Sequence, residues 1–437
     1  MYTSHQLPSI NVRLLAPMGT LAMTLLGCQS QPVVAPATVE IIGELTIDMK
    51  DMSYEPSRID LPREGRYRVK VHNVSHAVHD IVFDNEVALK AKPGETVETM
   101  LDISNNGVSY YCSLPGHEAA GMHGMITVNG QEPGSLRAHL HKPEINIDPV
   151  YLNPSAPALL TGKVHDIELI AEEKDMAVAK GAVQNLWTYN GQVPGPAIHV
   201  KVGDTVRVHL INPASNKLPH SVDFHASQVA WNDEMASINP GEDKYYEWRA
   251  DYAGVWMYHC GSNPALHHIA SGMYGMVIVE PKEGLAPVDH EFAIVQSEFY
   301  MGEHGRETDY HKAASSHPSP DFVVFNGVAM QYKDQPIPVE TGKKVRIYVL
   351  NAGPNEDSAF HIVGTIFNHV IKEGIELSPH NKGHWGSQAV DLAPSQGAIV
   401  EFTTAEDGLY PIVTHAFNFV GKGALGLIKA GDGDPKN

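Results

Sequence analysis

The sequence predicts an all-β chain of three Greek-key β-sandwich domains in series, and three observations predict it. Glycine (38) and proline (30) are abundant while charged residues make up only 19% of the chain, which suits many short strands joined by turns. Apolar and polar residues alternate in short runs along most of the length, the period of half-buried strands. A length of 437 residues exceeds what one core accommodates, so two or three domains are expected.

The first 28 residues read as a signal. Arg13 precedes a mostly apolar run over 14–26 that is too short to span a bilayer and ends in Leu25-Leu26-Gly27-Cys28. This resembles a bacterial lipoprotein signal, cleaved before Cys28 with lipidation of its thiol. Gln29 differs from the Asp that commonly retains such proteins at the inner membrane. The expected location is therefore the periplasmic side of the outer membrane, with the lipid as the sole membrane contact. Residues 29–42, rich in Gln, Pro, Ala and Val, read as a tether.

Residues 43–130 form the first expected sandwich, with strands over 44–48, 67–72 and 125–128 and turns at Pro93-Gly94 and Pro115-Gly116. His79 lies on an earlier apolar strand. Cys112, His117 and Met122 follow on one closing loop, with four residues between each pair. A distant His followed by Cys, His and Met is the ligand order of a single-domain cupredoxin, so this domain is expected to hold a blue (type 1) copper. Residues 131–155 carry Pro133, Pro143, Pro149 and Pro154 and read as a linker, which contains the chain's single His-x-His, His139-Leu140-His141.

Residues 156–283 form the second expected cupredoxin-like sandwich. Asn190-Gly191-Gln192-Val193-Pro194-Gly195-Pro196 precedes an expected strand over 201–210. The most informative residues are His259 and Cys260 in Tyr258-His259-Cys260. Successive side chains on a strand point to opposite faces, so adjacent His and Cys ligands suit two metals joined by a few covalent bonds. The same parity applies upstream. His220 and His225, five apart, go to opposite faces, whereas Asp223 and His225, two apart, share one. His220, Cys260, His268 and Met273 supply two imidazoles, a thiolate and a thioether, the donor set of a second blue-copper site. His225 and His259 are left for another copper, with Asp223 beside it. His267 precedes His268 and leaves the Cys-to-His spacing ambiguous by one; the four residues between His268 and Met273 favour His268.

Residues 284–431 form the third expected sandwich, with strands over 291–295, 344–350 and 398–402. The domain has no Cys and so no blue-copper site. It offers Phe360-His361-Ile362-Val363-Gly364 and Val413-Thr414-His415. The three cysteines of the chain thus each have a role other than a disulfide.

The strings Asn190 to Pro196, Leu218-Pro219-His220-Ser221-Val222-Asp223-Phe224-His225, Tyr258-His259-Cys260, Ser271-Gly272-Met273-Tyr274-Gly275, Phe360 to Gly364 and Gly423-Ala424-Leu425-Gly426 together resemble the NO-forming copper-containing nitrite reductases. The likeness covers the second and third domains nearly end to end. The short Cys260-to-His268 loop resembles the family's second class, and the added N-terminal cupredoxin resembles a domain-extended branch. The resemblance implies that His220, Cys260, His268 and Met273 hold the electron-accepting type 1 copper. It implies that His225, His259 and His415 hold a catalytic type 2 copper, His415 coming from a neighbouring subunit of a homotrimer. Asp223 and His361 match the two proton-handling residues, and Val363 an apolar wall beside nitrite. The implied content is two type 1 coppers and one type 2 per chain, and the implied donor is a small soluble c-type cytochrome or cupredoxin. A polar residue near Val390, which would orient the catalytic His, has no counterpart.

Two other readings fit less well. A laccase-like multicopper oxidase needs paired His-x-His motifs and a His-Cys-His string, but Gly261 follows Cys260 and the single His-x-His lies in the linker. A non-catalytic, membrane-tethered copper electron carrier would have lost a type 2 ligand or Asp223, and all are present. The formal net charge of −20 argues against nucleic acid and acidic lipid surfaces and suits a basic redox partner.

Overall fold

The computed structural model describes residues 40–84, 87–114, 117, 122–131, 133, 147–232, 235–302, 307–377 and 384–434. The expected signal with Cys28, most of the tether, and the linker stretch 134–146 with His139 and His141 lie outside the described residues. Two compact units emerge, one holding the strands from Ile41 to Val128 and the other those from Val164 to Ala430. Among the described residues, no helix is long and apolar enough to cross a membrane.

The first unit is a two-sheet sandwich. One sheet runs Ser53–Glu55, Ile41–Lys50, Gly65–Asn73, Thr96–Ile103; the other runs Arg58–Leu61, His123–Val128, Val108–Tyr111, His79–Phe83, Ala88–Ala91. Ile41–Lys50 pairs antiparallel with Ser53–Glu55 and in parallel with Gly65–Asn73, and the intervening Arg58–Leu61 lies in the other sheet, so the chain crosses between sheets. Strand alternation does what it should: Val69, Val71, Ile81 and Phe83 are fully buried while their neighbours are partly exposed.

The second unit contains four sheets in two sandwiches. The first sandwich stacks Ala182–Tyr189, Val164–Ala179, Thr205–Asn212, Glu242–Arg249 against Ile198–Lys201, Tyr274–Glu280, Gly254–His259, Asp223–Phe224. The expected strand over 201–210 is two strands, Ile198–Lys201 and Thr205–Asn212, in different sheets. The chain turns between them at Gly203, whose φ of +93° is natural for glycine, while Asp204 caps the turn by accepting from the Lys201 N–H at 3.0 Å. The second sandwich is built on His290–Phe299 and Lys344–Gly353, paired in parallel, and on Gly408–Thr414 with Leu425–Ala430. One core cluster runs across both sandwiches, joining Val255, Met257, Met276 and Ile278 to Val295, Phe299, Tyr348, Leu350 and Ile399. Apolar faces that close with each other make one continuous core, and burial at that joint holds the two sandwiches in one unit.

Part of the expected linker is also built in. Tyr151 donates to Asp334 at 2.7 Å, the Leu152 N–H donates to Gln331 Oε1 at 2.9 Å, and Ser155 bridges Phe292.

Candidate metal centres

Three strands position the centre of the second unit. Gly254–His259 pairs antiparallel with Tyr274–Glu280 on one side and with Asp223–Phe224 on the other, where Asp223 stands opposite His259 and Phe224 opposite Tyr258. Tyr258 is fully buried, packs on Phe224 with ring centroids 5.2 Å apart, and donates its hydroxyl to the Pro196 carbonyl at 2.8 Å. With Tyr258 held inward, His259 and Cys260 leave the strand end in opposite directions.

Cys260 goes to the closed side. Its N–H donates to the Met273 carbonyl at 3.0 Å, and the Met273 N–H donates to the His268 carbonyl at 3.1 Å, so the backbone itself gathers three of the expected ligands. Sγ lies 3.3 Å from His268 Nδ1 and 4.0 Å from His220 Nδ1, and the two Nδ1 atoms are 3.3 Å apart. His220, Cys260, His268 and Met273 are all buried. Trp187 covers the group, its ring 4.7 Å from that of His268. The Cys260 thiol is raised by burial, but the hydrogen bond and charge of His220 and the N–H groups of Ser221 and Ser262 outweigh that and lower it overall. Burial pushes His268 down to about 3, against the pull of the Glu173 charge. A cysteine sulfur and two imidazole Nδ1 atoms converging on one point suit copper.

His267 is not in this group. Ala265–Ala270 is a short helix, and adjacent helical residues diverge by about 100°, so one of the two histidines can face Cys260. His268 does, while His267 turns its ring toward Trp187 at 4.7 Å.

A group of the same donor types gathers around Cys112. His79, Cys112 and His117 bring one ligand atom each within 4.8 Å of the others, all three buried. The Cys112 N–H donates to the Met122 carbonyl at 3.0 Å, the counterpart of the Cys260–Met273 bond. Burial takes His79 down to about 4, keeping its imidazole neutral. Asp80 pins the cysteine loop by accepting from the Ser113 N–H and hydroxyl, each at 2.6 Å.

His259 goes to the open side. Asp223, His225 and His259 form a third group within 4.8 Å, half-buried to exposed. The two Nε2 atoms are 3.0 Å apart, and Asp223 Oδ2 is 3.8 Å from His259 Nε2. His259 Nδ1 donates to the Cys260 carbonyl at 2.9 Å, which leaves Nε2 with its lone pair toward His225. His225 is exposed as a residue, yet desolvation of its ring and then the His259 ring lower its pKa, with Asp223 pulling the other way. Neutral imidazoles are the ligating form. Within the chain this group has two nitrogen donors and one carboxylate.

His361 and His415 stand together elsewhere in the second unit. Ser358–Ile362 and Gly408–Thr414 pair antiparallel, the His415 N–H donates to the Ala359 carbonyl at 2.8 Å, and the two rings are 5.1 Å apart. His415 is exposed and flanked by the Phe417 ring at 5.3 Å; Val363 is also exposed. Neither histidine belongs to the Asp223–His225–His259 group among the described residues. His361 Nδ1 donates to the Gln388 carbonyl. That bond does the orienting work for which no polar side chain near Val390 was found in the sequence; a backbone carbonyl leaves no residue-type signal. Sequence reasoning also passed over Glu173 and Trp187, which reach the Cys260 group from strands far upstream.

Residues 171–284 match the family described as multicopper oxidase, and residues 41–129 match the copper binding proteins of the plastocyanin/azurin family. The copper-containing nitrite reductase of Neisseria meningitidis serogroup B is 38% identical over 309 residues, 69% of this chain and 75% of its own length. That of Neisseria gonorrhoeae is 39% identical over 297 residues, 66% and 72% of the two chains. Among solved structures, the copper nitrite reductase of Nitrosomonas europaea superposes with a TM-score of 0.56 at 36% identity, over 63% of this chain and 96% of that one. A copper-containing nitrite reductase from Thermus scotoductus gives 0.55 at 31% identity, over 63% and 64%.

Proposed function

The chain belongs to the copper-containing nitrite reductases, and on that footing we propose how its residues divide the reduction of nitrite to nitric oxide. His220, Cys260, His268 and Met273 hold a type 1 copper; His225 and His259, with His415 from a neighbouring subunit of a homotrimer, hold the type 2 copper. Bound there, copper supplies one-electron transfer and a Lewis-acidic place for a nitrite oxygen. The overall change is nitrite plus one electron plus two protons to nitric oxide and water. Asp223 hydrogen-bonds the substrate oxygen and delivers one proton. His361, held by the Gln388 carbonyl, delivers the other through water. Val363 presents an apolar wall that limits how nitrite lies.

His79, Cys112, His117 and Met122 hold a second type 1 copper, where electrons enter from a small soluble c-type cytochrome or cupredoxin. Each chain then carries two type 1 coppers and one type 2, and a lipid on Cys28 keeps the protein on the periplasmic face of the outer membrane. The observation that carries this reading is the joint between the two groups. His259 and Cys260 are consecutive, and His259 Nδ1 bonds the Cys260 carbonyl at 2.9 Å, so a covalent and a hydrogen-bonded path connect a buried redox site to an open one.

The test mixes two inactive full-length proteins, His225→Ala and His415→Ala, under conditions that let subunits exchange. Some interfaces then regain both ligands. Restored type 2 copper by EPR and nitrite-dependent NO release are expected. Exchange seen by mass without recovery places His415 in its own chain's chemistry. A wild-type EPR spectrum with type 1 signals alone would make the protein an electron carrier.

A further inference from the structure

Glu173 sits on the strand Val164–Ala179, directly opposite Trp187, so both side chains lie on the inner face beside the Cys260 group. Its side chain is only 7% exposed and that of His220 is fully buried. Glu173 Oε1 lies 3.2 Å from His220 Nε2 and also accepts from the N–H groups of Lys217 and Leu218 at 3.0 and 2.9 Å. His220 Nδ1 faces Cys260 and His268. The carboxylate therefore accepts a hydrogen bond from Nε2–H and fixes the tautomer in which Nδ1 presents its lone pair to the metal position.

We infer that Glu173 is a positioning residue that sets the reduction potential of the Cys260 centre, by fixing the His220 tautomer and by placing a buried negative charge beside its ligand shell. This rests on the type 1 copper reading above. A buried carboxylate favours the more positive, oxidised state of a neighbouring metal, and low local dielectric strengthens that preference. It holds the potential down, so that an electron on this centre passes on readily to the His259 side.

The test uses full-length protein carrying Cys112→Ser, so that the Cys260 thiolate gives the single blue band, and reads the potential by spectroelectrochemical titration. Glu173→Gln keeps an oxygen for the backbone N–H groups but removes the charge. It is expected to shift the equilibrium toward the reduced form by about tenfold, which is about 59 mV for a one-electron couple. Glu172→Gln removes the same charge from the other face of the strand, where Glu172 lies 3.8 Å from Lys174, and is expected to leave the potential in place. Glu173→Asp keeps the charge and is expected to shift the potential upward by less than Glu173→Gln. An unshifted Glu173→Gln, an equal shift in Glu172→Gln, or a larger shift in Glu173→Asp overturns the role. Should Glu173→Gln fail to fold, Glu173→Asp decides alone: an unchanged or lowered potential overturns it. Absence of any blue band in the copper-loaded parent defeats the copper reading itself, an outcome distinct from a band whose potential ignores Glu173.

Discussion

The Cys260 group and the His259 group leave the same strand end, yet they are built in opposite ways. Around Cys260 the expected donors His220, Cys260, His268 and Met273 come from one chain and are all buried, and backbone bonds from Cys260 to Met273 and from Met273 to His268 hold the loop. Around His259 the side chains are half-buried to exposed, two imidazoles converge among the described residues, and His361, on the strand Ser358–Ile362, stands with His415, just past Gly408–Thr414, in a separate pair. The difference fits the roles proposed for the two groups. An electron-transfer site works best when its ligands barely move, and burial supplies that rigidity. A site that binds an anion and releases a product must keep an open coordination position and a path for water.

The strongest way to break this comparison is to remove the thiolate. Cys260→Ser is expected to abolish the corresponding blue band and reduce nitrite turnover to background, while the Cys112 band and the His225–His259 copper persist. Loss of all three together would mean that the two groups are one cooperative site. Asp223→Asn and His361→Ala come next, each expected to cut NO formation by about 10²–10⁴-fold, the range for losing a proton donor, with copper content unchanged. Wild-type turnover in either, measured under saturating reductant, removes that residue from proton delivery.

A chelator sharpens the contrast in exposure. The copper at the open group is expected to leave first, so that the type 2 EPR signal fades over a time in which both blue bands stay within about a tenth of their starting intensity. Simultaneous loss contradicts the burial difference. The smallest effect is a control in neither group. His369 is raised to about 9, first by its hydrogen bond to Glu401, with Glu376 adding to it. An unfolded histidine titrates near 6.5, so this contribution is complete below about pH 6.5 and disappears as pH rises through about 9. His369→Gln should therefore lower Tm by about 2–4 °C at pH 6 and by less at pH 10, leaving blue bands and turnover alone. A larger loss at pH 10 reverses the sign and refutes the assignment.

Much of both sites was legible because a strand has a period of two. That period, read off Asp223, His225, His259 and Cys260, separates two groups, and the structure gathers Asp223, His225 and His259 in one and Cys260 with His220 and His268 in another. It fails where the backbone leaves the strand. His267 and His268 are equivalent by spacing, and the helix Ala265–Ala270 decides between them. Residues 201–210 read as one strand because alternation continues across Val202-Gly203-Asp204, where the chain in fact turns into another sheet.

By itself, the sequence determined the all-β class and the types and order of the candidate donors, since donor chemistry belongs to the residue and facing belongs to local backbone geometry. Tertiary structure alone decided which groups surround those ligands. Glu173 reaches His220 from 47 residues upstream, Trp187 roofs His268, and the Gln388 carbonyl orients His361. Such partners meet through sheet register and core packing between distant strands, and a carbonyl or a lone Glu carries no local pattern that announces its partner.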